Sequence, residues 1–142
     1  MIYTVSQIIR NWFIFKGIIL QKITIIGVKH LNKYITVLEN LINDSSYDLQ
    51  QIELTNLIEF MLENIGNTNP YIRDSLIYAG FCELILNEKI TLDHTISILK
   101  TCIDEQHLYL NIHMLEKNDA VFVRSFSALV IDTLVEKELS DW

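Results

Sequence analysis

From residue 29 onward, apolar residues recur at the three- and four-residue spacing of amphipathic helices. The first predicted helix ends at residues 43–46, Asn-Asp-Ser-Ser, which are also expected to cap the next helix. A second helix is predicted at about 47–65, ending before Gly66, which can adopt positive φ. The predicted inward positions of these two helices are Leu31, Tyr34, Ile35, Leu38, Leu41, Ile42, Leu49, Ile52, Leu57, Ile58, Met61, Leu62 and Ile65, with Glu53, Glu59 and Glu63 outward.

Three further helices follow. Asn69 is expected to cap the third, with Pro70 at its first position, and Gly80 within it to permit close approach of a neighbour. Thr91 is expected to cap a fourth helix at about 92–104, and Asn118 or Asp119 a fifth, after a less regular stretch at 105–117. The predicted inward sets are Ile72, Leu76, Ile77, Gly80, Phe81 and Leu84 in the third helix, Leu92, Ile96, Leu99 and Ile103 in the fourth, and Phe122, Val123, Phe126, Leu129, Val130 and Leu134 in the fifth.

Two helical pairs in this pattern resemble each other. In each pair an apolar helix is followed by a second helix that opens on an Ile-Arg or Val-Arg dipeptide, at Arg73 and Arg124, 51 positions apart. This spacing is longer than a standard two-helix repeat, and the additional residues lie in 105–117. The sequence therefore predicts an all-α domain of stacked antiparallel helical hairpins, as in a HEAT-like α-solenoid fragment.

The Arg-bearing segments also carry a family resemblance. Residues 69–74, Asn-Pro-Tyr-Ile-Arg-Asp, and residues 119–129, which include Asp119, Phe122, Arg124, Ser125 and Phe126, resemble an uncharacterised bacterial family, the domain of unknown function family 2785. The similarity covers about residues 50–137. It implies a cytoplasmic, HEAT-like protein and provides no catalytic residues.

Two departures from that family bear on the resemblance. Its members are roughly twice as long, so the chain is expected to be an amino-terminal portion. The connection before Asp119 usually carries a Gly-Glu pair, whereas here it reads Ile-His-Met-Leu-Glu at 112–116. Any ligand role for that connection is therefore unsupported.

Charge separates the first thirty residues from the rest. Arg10, Lys16, Lys22 and Lys29 make this segment wholly basic, which leaves 7 basic and all 18 acidic residues for the remainder, a net charge of −11. So acidic a body repels a phosphate backbone, and nucleic acid is not an expected partner. The length of 142 residues fits one domain.

Residues 1–28 form an apolar, basic amino-terminal extension ahead of the helical-repeat domain at 29–142. Their charges interrupt every stretch long enough to span a membrane. Three interpretations remain open. Val28 is the true initiator and the extension is not native to the domain; the extension is an interfacial helix with Trp12 and Phe13 on its apolar face; or it is an ordinary packing arm.

Candidate chemistry is sparse. Cys82 and Cys102 lie in helical patterns and are expected to be reduced thiols. His107 and His113 lie near acidic residues, but their spacing matches no standard metal-ligand pair. Neither Ser125 nor Ser127 has the context of an activated nucleophile, and the glycines form no phosphate loop. The sequence predicts no catalytic, cofactor or metal site.

The two arginines have a structural and a functional interpretation. Either each pairs with a nearby carboxylate, Arg73 with Asp74 or groups near Glu63 and Arg124 with Asp119 or Asp74, or both form a basic ladder for an acidic partner. The first is favoured in so acidic a body.

The overall prediction is a cytoplasmic, non-catalytic protein–protein interaction module. Val130, Leu134 and Val135 are expected to be left for a protein partner or a second copy to cover. The alternative is a membrane-surface protein tethered by residues 1–28.

Overall fold

The computed structural model describes Lys16, residues 33–114 and residues 118–140. The chain divides into two compact units, Met1–Ile35 and Thr36–Trp142. Apart from Lys16, the predicted extension at 1–28 lies outside the described residues, as do its boundary and the three interpretations of it. Within the described part every regular element is helical, which confirms the all-α class.

Five helices are present in residues 33–114 and 118–140. Helix α1 occupies residues 33–43, α2 is Leu54–Glu63, α4 is Leu92–Cys102 and α5 is Ala120–Ser140. Helix α3 begins as a π-helix, Tyr71–Tyr78, and continues directly as an α-helix, Ala79–Leu86. None of these helices combines the length and the apolar character required to cross a membrane.

Helix α2 begins later than predicted. Asp44 Oδ1 accepts the backbone N–H of Ser46 at 2.9 Å, and Asp48 Oδ1 accepts that of Gln50 at 2.8 Å. These aspartates form local turns instead of capping a helix, because a short carboxylate can bond the backbone two residues ahead. Residues 47–53 are therefore not helical, and Glu53 precedes α2 without a side-chain cap.

Asn69 makes the predicted capping contact. Its Oδ1 accepts the backbone N–H of Tyr71 at 3.0 Å, and Pro70 lies at φ −63°, which a proline ring favours. The Tyr71 hydroxyl donates to Glu39 at 2.8 Å and so ties the start of α3 to α1. The π-helical geometry that follows was not predicted.

Buried apolar side chains come from all five helices. The predicted inward residues Leu38, Leu57 and Phe81 are completely buried, and Val37, which the pattern missed, is buried too. A Cβ on Gly80 would lie 2.7 Å from Leu38 Cδ2 and 3.1 Å from Met61 Cε. The predicted close approach at Gly80 is confirmed.

Gly66 has a different role from the one predicted. It does not adopt positive φ, and α2 already ends at Glu63. A Cβ on Gly66 would lie 2.9 Å from the backbone nitrogen of Val123 in α5. The glycine is needed because the α2–α3 turn passes directly against the start of α5.

The helices of the second unit alternate in direction. Helix α2 packs on α4, and α3 and α4 both pack on α5. Thr55 near the start of α2 is 3.3 Å from His94 near the start of α4, so these two helices run roughly in parallel. Lys137 near the end of α5 pairs at 2.7 Å with Glu88, just after α3, so α3 and α5 also run roughly in parallel.

Candidate functional site: an exposed apolar surface on α4

The predicted inward stripe of α4 faces outward. Leu92 is 69% exposed, Ile96 41%, Leu99 37% and Ile103 46%. The prediction that these four residues face the core is wrong. They form an unbroken apolar line along the solvent side of the helix.

The buried side of α4 carries Ile98 and Cys102, both completely inaccessible. This side packs against α2 and α5. The helix thus has two apolar faces, and the narrower one, with Ile98 and Cys102, is the one that is buried. In the sequence, Ile98 and Cys102, four residues apart, mark a second apolar face of this helix.

The apolar line continues into the connection after α4. Ile103, Tyr109, Ile112 and Met114 line one open cavity of about 1030 Å³, and the last three are each more than half exposed. We call the seven residues Leu92, Ile96, Leu99, Ile103, Tyr109, Ile112 and Met114 the α4 surface.

Two contacts hold the connection in place. The Leu108 N–H donates to the Cys102 carbonyl at 3.1 Å, and Arg124 Nη1 donates to the Leu110 carbonyl at 2.7 Å. Asn111 adopts φ 51°, a left-handed conformation that asparagine tolerates better than most residues. Residues 105–113 form a series of turns fastened to α4 and α5, as expected from their irregular pattern.

The start of α4 is firmly capped. Thr91 and His94 form a reciprocal capping box. The Thr91 hydroxyl accepts the backbone N–H of His94, and the His94 ring nitrogen Nδ1 accepts the backbone N–H of Thr91. The predicted cap at Thr91 is confirmed. Asp93 in the first turn and Lys100 in the last turn both complement the helix dipole.

Asp104 and His107 interact at the end of α4. His107 Nδ1 lies 2.9 Å from Asp104 Oδ1. Desolvation opposes the charged form of Asp104, but hydrogen bonds from His107 and Gln106 outweigh it and lower the pKa of this carboxyl. The described residues contain no cluster of three or more potential metal ligands, and His113 is exposed. This pair fixes the turn after α4.

Arg73 is the buried member of an aromatic and polar cluster. It is 8% exposed, its Nε is 2.7 Å from Asp74 Oδ1, and its Nη1 donates to the Asn67 carbonyl at 3.0 Å. Its guanidinium lies over the rings of Phe122, at 4.2 Å, and Phe126, at 5.0 Å. The predicted pairing with Asp74 is confirmed, and the cluster joins α3 to α5.

Arg124 does not pair as predicted. It binds the Leu110 carbonyl, and within the described part it forms no ion pair with Asp119 or Asp74. Neighbouring Ser125 is exposed, as is Asp119, and the Asn118 side chain accepts the N–H of Ala120 at 3.0 Å to cap α5. Of the two predicted capping residues, Asn118 is the one whose side chain makes the contact.

The surface predicted on α5 is also different. Val130 and Leu134 are buried, so the prediction that they await a partner is wrong; Val135 is 48% exposed. Leu129, predicted to face inward, is 38% exposed. Packing of α5 against α3 and α4 covers the other face of the helix.

Both cysteines are free thiols, as predicted. Burial, with a smaller contribution from Asp104, raises the pKa of Cys102 to about 12. This thiol is therefore protonated at neutral pH and belongs to the packed side of α4.

Comparison of the chain with protein-family models, with curated proteins and with solved structures finds no match. The resemblance to the domain of unknown function family 2785 stays a prediction.

Proposed function

We propose that the two hairpins α2–α3 and α4–α5 are stacked as successive units of a HEAT-like α-solenoid. The support is the pattern of contacts, in which first helix packs on first helix, α2 on α4, and second helix on second helix, α3 on α5. The alternation of helix direction and the Arg73 cluster at the α3–α5 contact agree with this arrangement.

On this scaffold, the protein acts as a cytoplasmic, non-catalytic protein–protein interaction module. The α4 surface carries the proposal, because contiguous exposed apolar residues typically mark an interaction site. Tyr109 and Met114 belong to residue types enriched at protein interfaces, whereas the acidic body disfavours nucleic acid. The partner is a protein with an apolar face of its own, or a second copy of the chain.

The test compares two pairs of equally exposed apolar residues. Ile96→Gln/Leu99→Gln removes the middle of the α4 surface, at 41% and 37% exposure, whereas Val121→Gln/Leu129→Gln changes α5 at 45% and 38%. The wild type is expected either to bind a hydrophobic dye or to self-associate in sedimentation velocity. The first variant should lose that property and the second should retain it.

Equal behaviour of both variants would contradict the proposal, as would a monomeric wild type that binds no dye. Circular dichroism of both variants controls for folding, since all four positions are exposed and tolerate polar side chains.

A further inference from the structure

We infer that the α4 surface binds the α4 surface of a second copy of this chain, with the two α4 helices antiparallel. This inference rests on the proposed interaction function and identifies the partner. Three observations carry it: the spacing of the stripe, the charges along its edge and the burial of its opposite edge.

The spacing of Leu92, Ile96, Leu99 and Ile103 is four, three and four residues, which is the seam spacing of paired helices. At about 100° per residue these positions fall within about 60° on the helix circumference, over a length of about 16 Å. Such a line can interdigitate with an identical line.

One edge of this seam carries Asp93 and Lys100, both exposed. Their separation of seven residues places them within about 20° of each other on the helix. Neither forms an ion pair with another described residue. Near the two ends of the seam, one edge therefore presents one negative and one positive charge.

A two-fold axis that makes two helices antiparallel brings like edges together. Asp93 of each copy then lies beside Lys100 of the other, which gives two equivalent ion pairs. The edge is thus self-complementary, as an isologous interface requires. A partner of different sequence would need to supply this charge order itself.

Parallel pairing would bring the charged edge against the opposite one, which carries Thr95 and Cys102. Cys102 is completely buried within its own chain, and Thr95 is half-buried. Asp93 and Lys100 would then have no charged groups to meet, so the antiparallel arrangement is favoured.

The seam continues beyond Ile103 into the open cavity lined by Tyr109, Ile112 and Met114. A stable interface buries about 800 Å² per partner, more than four aliphatic side chains provide. These residues supply additional apolar area at each end of the antiparallel pair, because the two-fold axis places one connection beside the start of each partner helix.

Charge reversal tests the pairing directly. Asp93→Lys and Lys100→Glu each place like charges together in the antiparallel pair, and each should weaken self-association about tenfold in sedimentation equilibrium. The double variant Asp93→Lys/Lys100→Glu should restore the wild-type dissociation constant. An equimolar mixture of the two single variants should form heterodimers, because every edge contact in that pair is again between opposite charges.

A role of Asp93 and Lys100 in the helix dipole alone predicts a different order of self-association among the four proteins. If the two residues act only through α4 stability, the double variant should be the weakest of the four proteins, and mixing should have no effect. Either result overturns the inference. Thermal melts of each variant report the dipole effect separately.

The outcomes also separate this inference from the proposed function. A wild type that stays monomeric, and binds a hydrophobic dye that Ile96→Gln/Leu99→Gln abolishes, overturns self-pairing but supports an interaction surface for another protein. A monomeric wild type without dye binding overturns both. A dimer sensitive to Ile96→Gln but not to charge reversal overturns the antiparallel edge contact.

Discussion

The helix pairs α2/α3 and α4/α5 have similar apolar patterns but bury them differently. In the first, the predicted inward residues Leu57, Met61, Ile77, Phe81 and Leu84 are all buried. In the second, the whole predicted stripe of α4 is exposed. Apolar periodicity therefore identifies a helix in both cases, but it identifies the buried side only where the helix has a single apolar face.

The arginines show the same contrast. Arg73 is buried between Asp74 and the rings of Phe122 and Phe126, whereas Arg124 is half-buried and bonds a carbonyl of the connection. Arg73 thus belongs to the contact between α3 and α5, and Arg124 fastens the segment that extends the α4 surface. Equivalent positions in the sequence pattern serve different purposes.

The largest expected difference is between Phe81 and Ile96. Phe81→Ala should lower the free energy of unfolding by about 3–5 kcal/mol, because it empties a fully buried site. Ile96→Ala should change it by less than about 0.5 kcal/mol in dilute protein. Urea denaturation measures both, and similar losses at the two positions would contradict the assigned orientation of α4.

Removal of the arginines should give a smaller difference. Arg73→Met should cost about 2–3 kcal/mol, since it removes the Asp74 and Asn67 contacts and the cation–π stacking. Arg124→Met loses one hydrogen bond, to Leu110, and should cost about 1 kcal/mol. Thermal and chemical denaturation would show this order. An unchanged melting temperature for Arg124→Met would contradict a structural role for Arg124.

The two glycines test how closely neighbouring segments approach. Gly66→Ala should cost about 2 kcal/mol, because its Cβ would meet the backbone of Val123, which cannot move independently of α5. Gly80→Ala should cost less: its neighbours are the ends of the Leu38 and Met61 side chains, and alanine favours the helix by about 1 kcal/mol. Chemical denaturation measures the loss of unfolding free energy in each variant. Equal losses would contradict the placement of the α2–α3 turn against α5.

The smallest expected effect is at the cap of α4. Thr91→Ala removes the hydroxyl of the capping box and should cost about 1 kcal/mol. Hydrogen exchange should accelerate in the first turn of α4, including Asp93 and His94, and remain unchanged in α2. Faster exchange throughout both helices would instead indicate that the cap stabilises the whole unit.

The sequence predicted local features well where a single residue determines them. The caps at Asn69, Thr91 and Asn118 and the close approach at Gly80 follow from backbone hydrogen bonding and side-chain size. The start of α2 was misplaced because Asp44 and Asp48 can bond their own turns as readily as cap a helix.

The remaining errors involve contacts between distant segments. Nothing local indicates that Arg124 binds the carbonyl of Leu110, or that Gly66 faces Val123. The choice between the two faces of α4 likewise depends on where α2 and α5 pack. The candidate surface was therefore present in the sequence as a stripe of four residues, but its exposure was not predictable from that stripe.

Thiol labelling along α4 tests the central claim most directly. In a Cys82→Ser/Cys102→Ser background, Ile96→Cys and Ile98→Cys place one thiol on each face of the helix. In dilute protein the thiol at 96 should react at least about a hundredfold faster than the thiol at 98, which must wait for local opening. At high protein concentration only the thiol at 96 should slow, as α4 pairs with its copy. Faster reaction at 98 than at 96 in dilute protein would contradict the outward orientation of the α4 surface.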